Sequence, residues 1–302
     1  MSDRPVALTV GVFDGFHRGH RAVIDATVAA ARSLQGISWV ATFDPHPDTV
    51  VRGVEERAWV TPPEERAEIL HGWGVDRVHV VRFDRGVMAL SPEEFLDRVL
   101  GPGAPLRALV MGPDFRMGKG RVGDRAYLEA LGGRRGFEVR EIRFLLGEGR
   151  KISSTELRSR IEAGDLERAS EMLGRPYALR GRVGSGAGRG TALGYPTANL
   201  ETHPLQLLPA AGVYLSENEI GGTAWHGMTY VGSASTFGPG PLRVEVHLLG
   251  YEGSLRGSVL TTHLLRRLRP DRVFESAEAL VRAMDDDLAA ARAHWSPPGA
   301  RG

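Results

Sequence analysis

The chain contains no cysteine, so no disulfide framework and no thiolate metal site can be written for it. It has no apolar run long enough to cross a bilayer, and its opening residues, Met-Ser-Asp-Arg-Pro, lack the apolar stretch of a secretory signal. Net charge is nearly absent: 38 basic against 37 acidic side chains leave +1, which argues against a dedicated polyanion binder. Lysine is scarce, since every basic residue other than Lys119 and Lys151 is arginine. That bias reflects coding composition as much as phosphate binding, so arginine content carries no functional weight. What remains, at 302 residues with 42% hydrophobic and 25% charged side chains, is the expectation of a soluble cytoplasmic protein of two domains. Neither a membrane nor a nucleic acid is expected as a partner.

The most informative stretch is Thr9-Val-Gly-Val-Phe-Asp-Gly-Phe-His-Arg-Gly-His20. Val6, Leu8, Val10 and Val12 alternate with smaller or polar residues and predict a strand; Val23, Ile24, Thr27, Val28 and Ala31 recur at helical spacing after it. Two histidines therefore fall at a strand-to-helix junction. A helix start carries unpaired N–H groups and the positive end of the dipole, and Gly11, Gly15 and Gly19 allow an anion close to the backbone. The pattern predicts a phosphate site. Zinc is the weaker reading of the two histidines, because no HExxH arrangement accompanies them.

Strand and helix then alternate. Ile37–Phe43 predicts a second strand, stopped by the prolines of Asp44-Pro-His-Pro47. Thr61-Pro-Pro-Glu64 and Ser91-Pro-Glu-Glu94 both predict capping boxes at helix starts. Strands are expected at Val78–Phe83, Leu106–Met111 and Phe137–Phe144, with a helix near Asp124–Leu131. This order implies an α/β domain with a mostly parallel sheet and ligands beyond the carboxyl ends of its strands.

The motif GxFDGxHxGH resembles the N-terminal signature of the prokaryotic bifunctional riboflavin kinase/FMN adenylyltransferase (FAD synthetase) family, and the resemblance runs from about residue 6 to residue 295. It implies a Rossmann-like nucleotidyltransferase domain of the HxGH type over residues 1–174 and a small antiparallel β-barrel riboflavin kinase domain over 175–302. His17 and His20 would stabilise the triphosphate of ATP, with Gly11, Phe13, Asp14 and Gly15 around it. Gly112-Pro-Asp-Phe-Arg-Met-Gly118 resembles the family's GxDFxFG loop, giving Asp114 and Phe115 a flavin contact, with Met117 in place of the second aromatic. Lys151-Ile-Ser-Ser-Thr-Glu-Leu-Arg158 resembles the ISSTxxR element. Ser153, Ser154, Thr155 and Arg158 would then hold phosphate oxygens, while Ser153 with Glu156 also reads as a capping box.

After Gly174-Arg-Pro-Tyr177 the character changes to short strands and many glycines, the signature of a small barrel. The segment from Gly181 to Gly194 fits neither a P-loop nor a dinucleotide fingerprint. Its continuation, Gly194-Tyr-Pro-Thr-Ala-Asn-Leu200, resembles the kinase motif GxPTAN, which implies phosphate contacts at Gly188, Gly190 and Gly194 and Mg²⁺ contacts at Thr197 and Asn199. Val244-Glu-Val-His-Leu-Leu249 alternates, placing Val244, Val246 and Leu248 on one face and Glu245 with His247 on the other. Glu245 matches the family's catalytic base. Tyr230, Ala234 and Ser235 depart from the usual flavin loop, NxGxRPTF or NPTF, and Arg256 stands where tyrosine is common. The resemblance implies ATP, riboflavin, FMN and FAD as partners and Mg²⁺ as cofactor, and leaves monomer or homo-oligomer open. Two alternatives are retained: a paralogue keeping only the adenylyltransferase activity or acting on a modified flavin, and a non-catalytic flavin-binding protein.

Overall fold

The computed structural model describes residues 4–55, 57–101, 103–142, 146–147, 150–185, 194–233 and 242–295. By its contacts the chain divides into two units, Met1–Ser154 and Thr155–Gly302. The first is built from β1 (Val6–Val10), α1 (Arg18–Ser33), β2 (Ile37–Asp44), α2 (Pro47–Arg52), α3 (Pro63–Gly72), β3 (Arg77–Arg82), α4 (Arg85–Met88), α5 (Pro92–Leu100), β4 (Leu106–Met111), α6 (Arg125–Arg135) and β5 (Glu138–Glu141), followed by the two-stranded pair β6 (Leu146–Gly147) and β7 (Arg150–Lys151). The five longer strands form one parallel sheet in the order β3-β2-β1-β4-β5. Every residue of β1 is buried, as expected of a central strand covered on both faces. Val6, Leu8 and Val10 join a core with α5 and α6 residues such as Phe95, Leu96 and Leu128, whereas Ala7 packs with Ala30 and Ala31 of α1.

The helix starts follow the local chemistry. Ser91 forms the expected capping box with Glu94 at α5. The box expected at Thr61 is not formed: α3 is capped by Pro62 with no side-chain bond. Proline has no N–H to present at that position, and the N–H of Thr61 is instead given to Asp14. Asp124 caps α6 as its sequence implies. The short helices α2 and α4 carry too few residues for a periodic pattern and were not expected. Part of the strand expected at Phe137–Phe144 lies outside the described residues.

The second unit takes most of α7 (Ser154–Ala163), then α8 (Leu166–Leu173), β8 (Tyr177–Val183), β9 (Ala198–Thr202), β10 (Gly212–Ile220), β11 (Thr223–Gly232), β12 (Arg243–Leu248), β13 (Val259–Pro270) and α9 (Ala277–Trp295). Its strands close into an antiparallel barrel in the order β10-β11-β12-β9-β8-β13. Interior positions include Leu200, Tyr214, Val231, Val244, Val246 and Leu260, all buried. The helix α8 packs on β8 and β13, and the division by contacts, after the first residue of α7, places it in the same unit as the barrel.

Candidate active sites

In the sheet, strand order reverses between the neighbours β1 and β4, so the loops leaving their carboxyl ends open on one crevice. The histidine turn follows β1 and Gly112–Phe115 follows β4. Three residues of the turn have left-handed backbone: Phe13 (φ 49°), Gly15 (φ 88°) and Phe16 (φ 48°). For the two phenylalanines this conformation costs roughly 1–2 kcal/mol each. It is offset by ring burial, which for a phenylalanine contributes about 1.5–3 kcal/mol: Phe16 is fully buried, edge-on to Trp73 at 5.5 Å, and Phe13 is edge-on to His20 at 5.3 Å. The Phe13 ring lies over Gly11, where a Cβ would come within 2.8 Å of it. A side chain at Gly11 would therefore push that ring aside.

Asp14 fixes the other side of the turn. Its buried carboxylate accepts hydrogen bonds from the backbone N–H groups of Val60 (2.9 Å) and Thr61 (3.0 Å), and its carbonyl accepts one from the Ser154 hydroxyl at 3.3 Å. The carboxylate expected among the phosphate contacts thus shapes the loop. Beneath it, Arg66 is fully buried, stacks on Trp59 at 3.9 Å and donates to the carbonyls of Phe43 and Thr61. Burial lowers its pKa to about 10, against the opposing pull of Asp14, Asp44 and Glu64. Sequence reading did not single out Arg66; no local pattern marks it.

His17 caps α1, its Nδ1 accepting from the His20 N–H at 3.2 Å. That bond leaves Nε2 of a neutral ring as a donor. The rings of His17 and His20 stack with centroids 3.6 Å apart and planes 18° from parallel. Gly19 makes room for this, since a Cβ there would meet the His17 ring at 3.0 Å. His20 is partly covered as a residue, but its Nδ1 is enclosed and has no hydrogen-bond partner among the described residues. Burial, then the nearby His17, lowers its pKa well below the ordinary histidine value. The first turn of α1 contains no acidic residue. Donors and a helix dipole therefore converge on a spot where the first turn of the helix presents no carboxylate to oppose a phosphate.

Of the other expected contacts in this unit, Phe115 packs against the sheet core, with its N–H bonded to the carbonyl of Gly112 at 3.1 Å, and the carbonyl of Ile152 approaches Gly19. Ser153 is partly buried beside Ser154. In the second unit Thr155 is exposed on α7 and Arg158, one turn on, is buried.

The barrel carries its candidate residues on the outer face. Antiparallel pairing puts Asn199 opposite Glu245 and Glu245 opposite Tyr230, a row across β9, β12 and β11. Directly opposed side chains share a face, with Cβ atoms about 4.5–5.5 Å apart. The hydroxyl of Thr197 donates to Oε2 of Glu245 at 3.2 Å. Gly194 enters this element with left-handed backbone (φ 87°). Tyr230 folds its ring over Gly232, where a Cβ would collide with it. Gly188, Gly190, Ala234 and Ser235 lie outside the described residues. Among the described residues no group of three or more His, Cys, Asp or Glu is arranged to hold a metal on its own. The hydroxyl of Thr197 and the amide of Asn199, both partly exposed beside a carboxylate, are the hard neutral oxygens that suit Mg²⁺, an ion that takes few protein ligands and completes its shell with water and phosphate.

Comparison with known proteins finds two family models, one in each half of the chain. Residues 1–156 match the family model described as FAD synthetase, and residues 173–295 the one described as riboflavin kinase. A bifunctional riboflavin kinase/FMN adenylyltransferase of Pseudomonas fluorescens is 36% identical over 307 residues, covering 99% of this chain and 96% of the relative. The protein of the same description from Escherichia coli K12 is 33% identical over 286 residues, 94% and 91% of the two chains. Among solved structures, a Streptococcus pneumoniae protein described as a macrolide-efflux protein superposes with a TM-score of 0.85 at 29% identity, over 97% of this chain and 95% of that one. No helix among the described residues here is long and apolar enough to cross a membrane. With both models matched in order and relatives aligned nearly end to end, the chain belongs to the bifunctional riboflavin kinase/FMN adenylyltransferase family.

Proposed function

We propose that the barrel phosphorylates riboflavin to FMN and that the parallel-sheet domain joins FMN to the adenylyl group of ATP to make FAD, each with its own set of side chains. In the barrel, Glu245 takes the proton of the ribityl 5′-hydroxyl as that oxygen bonds to the γ-phosphorus; the bond from γ-phosphorus to the bridging oxygen breaks and ADP leaves. The hydrogen bond from Thr197 orients the carboxylate and keeps it from turning away. Thr197 and Asn199 are the residues that would hold Mg²⁺, which when bound neutralises phosphate charge.

In the first domain, a phosphate oxygen of FMN attacks the α-phosphorus of ATP and the bond to the β-phosphate breaks, releasing pyrophosphate. No covalent enzyme intermediate is needed, so the task of the protein is to hold donors on the developing charge. We assign that to His17, His20 and the N–H groups at the start of α1, with Ser153, Ser154, Thr155 and Arg158 carried over from the ISSTxxR motif and Asp114 and Phe115 set toward the flavin. Because Thr155 and Arg158 belong with this reaction, we place the functional boundary at 174/175, after the connecting helices. The cytoplasm is the proposed compartment.

The observation that carries this reading is that motif residues far apart in sequence fall together within each unit: Ser154 on Asp14 in one, Thr197 on Glu245 in the other. Incubating the protein with riboflavin and MgATP, and resolving flavins over time, should show FMN rising first and FAD following. FAD from supplied FMN with none from riboflavin would leave only the adenylyltransferase; a flavin bound but unchanged would favour a binding protein.

A further inference from the structure

The phosphate-side turn of the barrel, Tyr195–Asn199, is fastened at two points that the catalytic residues do not account for. Tyr195 is buried and its hydroxyl donates to Oδ1 of Asp285 on α9. A carboxylate oxygen accepts, so the phenol is the donor in this bond. One residue on, the carbonyl of Pro196 lies 2.9 Å from Nδ1 of His247 on β12. A carbonyl only accepts, so Nδ1 carries the proton. His247 is two residues from Glu245 on the same strand face, and its ring is 6.0 Å from that of Tyr195.

The helix that supplies Asp285 is anchored independently. Arg269 of β13 pairs with Asp287 at 2.9 Å, His226 of β11 stacks on Trp295 at 3.9 Å, and Ala291 packs with Val213, Leu215 and Met228. Removing the Tyr195–Asp285 bond thus leaves α9 in place and frees only the turn.

We propose that Asp285 and His247 are positioning residues for phosphoryl transfer: one from α9 and one from β12, they hold the turn so that Thr197 and Asn199 meet the nucleotide phosphates at a fixed distance from Glu245. This rests on the kinase reading above. Positioning contributes strongly to such reactions, because a misplacement of about 1 Å costs on the order of a hundredfold in rate. A partial loosening, with one fastening kept, should therefore lower riboflavin phosphorylation roughly tenfold.

The test is riboflavin phosphorylation by the full chain, with kcat and KM for MgATP measured separately. Asp285→Ala and Tyr195→Phe should each reduce turnover by similar factors, and the double variant should be no worse than either, because both remove one bond. Asp285→Asn keeps the acceptor and should behave as the parent. His247→Ala should fall similarly, and His247→Asn, whose amide nitrogen can stand where Nδ1 stood, should recover most of the loss while His247→Gln does not. FAD formation from supplied FMN should be unchanged throughout. If Asp285→Ala, Tyr195→Phe and His247→Ala phosphorylate riboflavin like the parent while Glu245→Gln does not, the positioning role is wrong and the kinase reading stands. Equal losses with the Asn and Ala variants, accompanied by a lower melting temperature, would mark general loosening of the barrel and overturn it as well. A parent protein that makes no FMN removes the kinase reading and this inference together.

Discussion

The two candidate sites are built on opposite principles. In the sheet domain the chemistry is presented by backbone: a turn with three left-handed residues, a helix start, and histidines stacked where Gly19 leaves room. In the barrel it is presented by side chains on regular strands, and pairing alone puts Asn199, Glu245 and Tyr230 in one row. The first design depends on conformations that few residues adopt, so its glycines matter as much as its histidines. The second depends on side-chain identity, and a conservative exchange at one position is enough to remove its chemistry.

The largest expected effect separates the two sites outright. Glu245→Gln removes the proton acceptor without removing bulk, and general-base catalysis is worth about 10²–10⁴-fold; kcat for riboflavin phosphorylation should fall by that order while FAD formation from FMN persists. A parallel fall in both reactions, with the fold intact, would show that one site serves both.

Next in size, His17→Ala and His20→Ala should each cost adenylylation roughly 2–4 kcal/mol of transition-state stabilisation. Riboflavin phosphorylation is the internal control and should not move.

Gly19→Ala gives the sharper contrast. Alanine in a helix is ordinarily favoured over glycine by about 0.5–1 kcal/mol, so thermal stability should hold or rise. Adenylylation should nevertheless drop several-fold, because the new Cβ meets the His17 ring at 3.0 Å and must displace it. Unchanged FAD synthesis would mean that the stacked arrangement of the two histidines is dispensable.

The smallest effect is in the pH dependence of stability. Burial holds His20 well below the ordinary histidine pKa, so under acid conditions the unfolded chain binds a proton that the folded chain does not. Its contribution is therefore complete above about pH 6.5 and is lost as pH falls toward the folded value. Denaturant unfolding of His20→Gln across that range should give a shallower slope than the parent, and identical slopes would place the titration elsewhere.

Much of this was legible in the sequence, for reasons that differ by region. Strands β2 and β4 are largely apolar runs and β1 an alternating one, and in β12 the alternation of Val244 and Val246 with Glu245 and His247 gave inside and outside directly. The HxGH turn and the PTAN element are short, contiguous and chemically distinctive. What escaped was fixed by partners distant along the chain. Asp14 reads as one more polar residue of a phosphate loop until Val60 and Thr61, 46 and 47 positions away, are found bonded to it. Thr61 reads as a cap for the same reason, since its competing partner is invisible locally. The fastening of Tyr195 by Asp285 spans 90 positions, and no local spacing rule reaches that far.

The row that runs from Asn199 through Glu245 to Tyr230 also limits how this enzyme can change length. Side chains alternate between the two faces of a strand, so losing a single residue just before Glu245 in β12, with the neighbouring strands fixed, would turn the carboxylate into the barrel interior and bring a valine out in its place. A closed barrel has no free edge at which such a slip can be absorbed. Insertions and deletions that preserve the kinase should therefore fall outside β9 and β12, in the connections between strands. Single-codon deletions within those two strands should be inactivating even where every motif residue is still present.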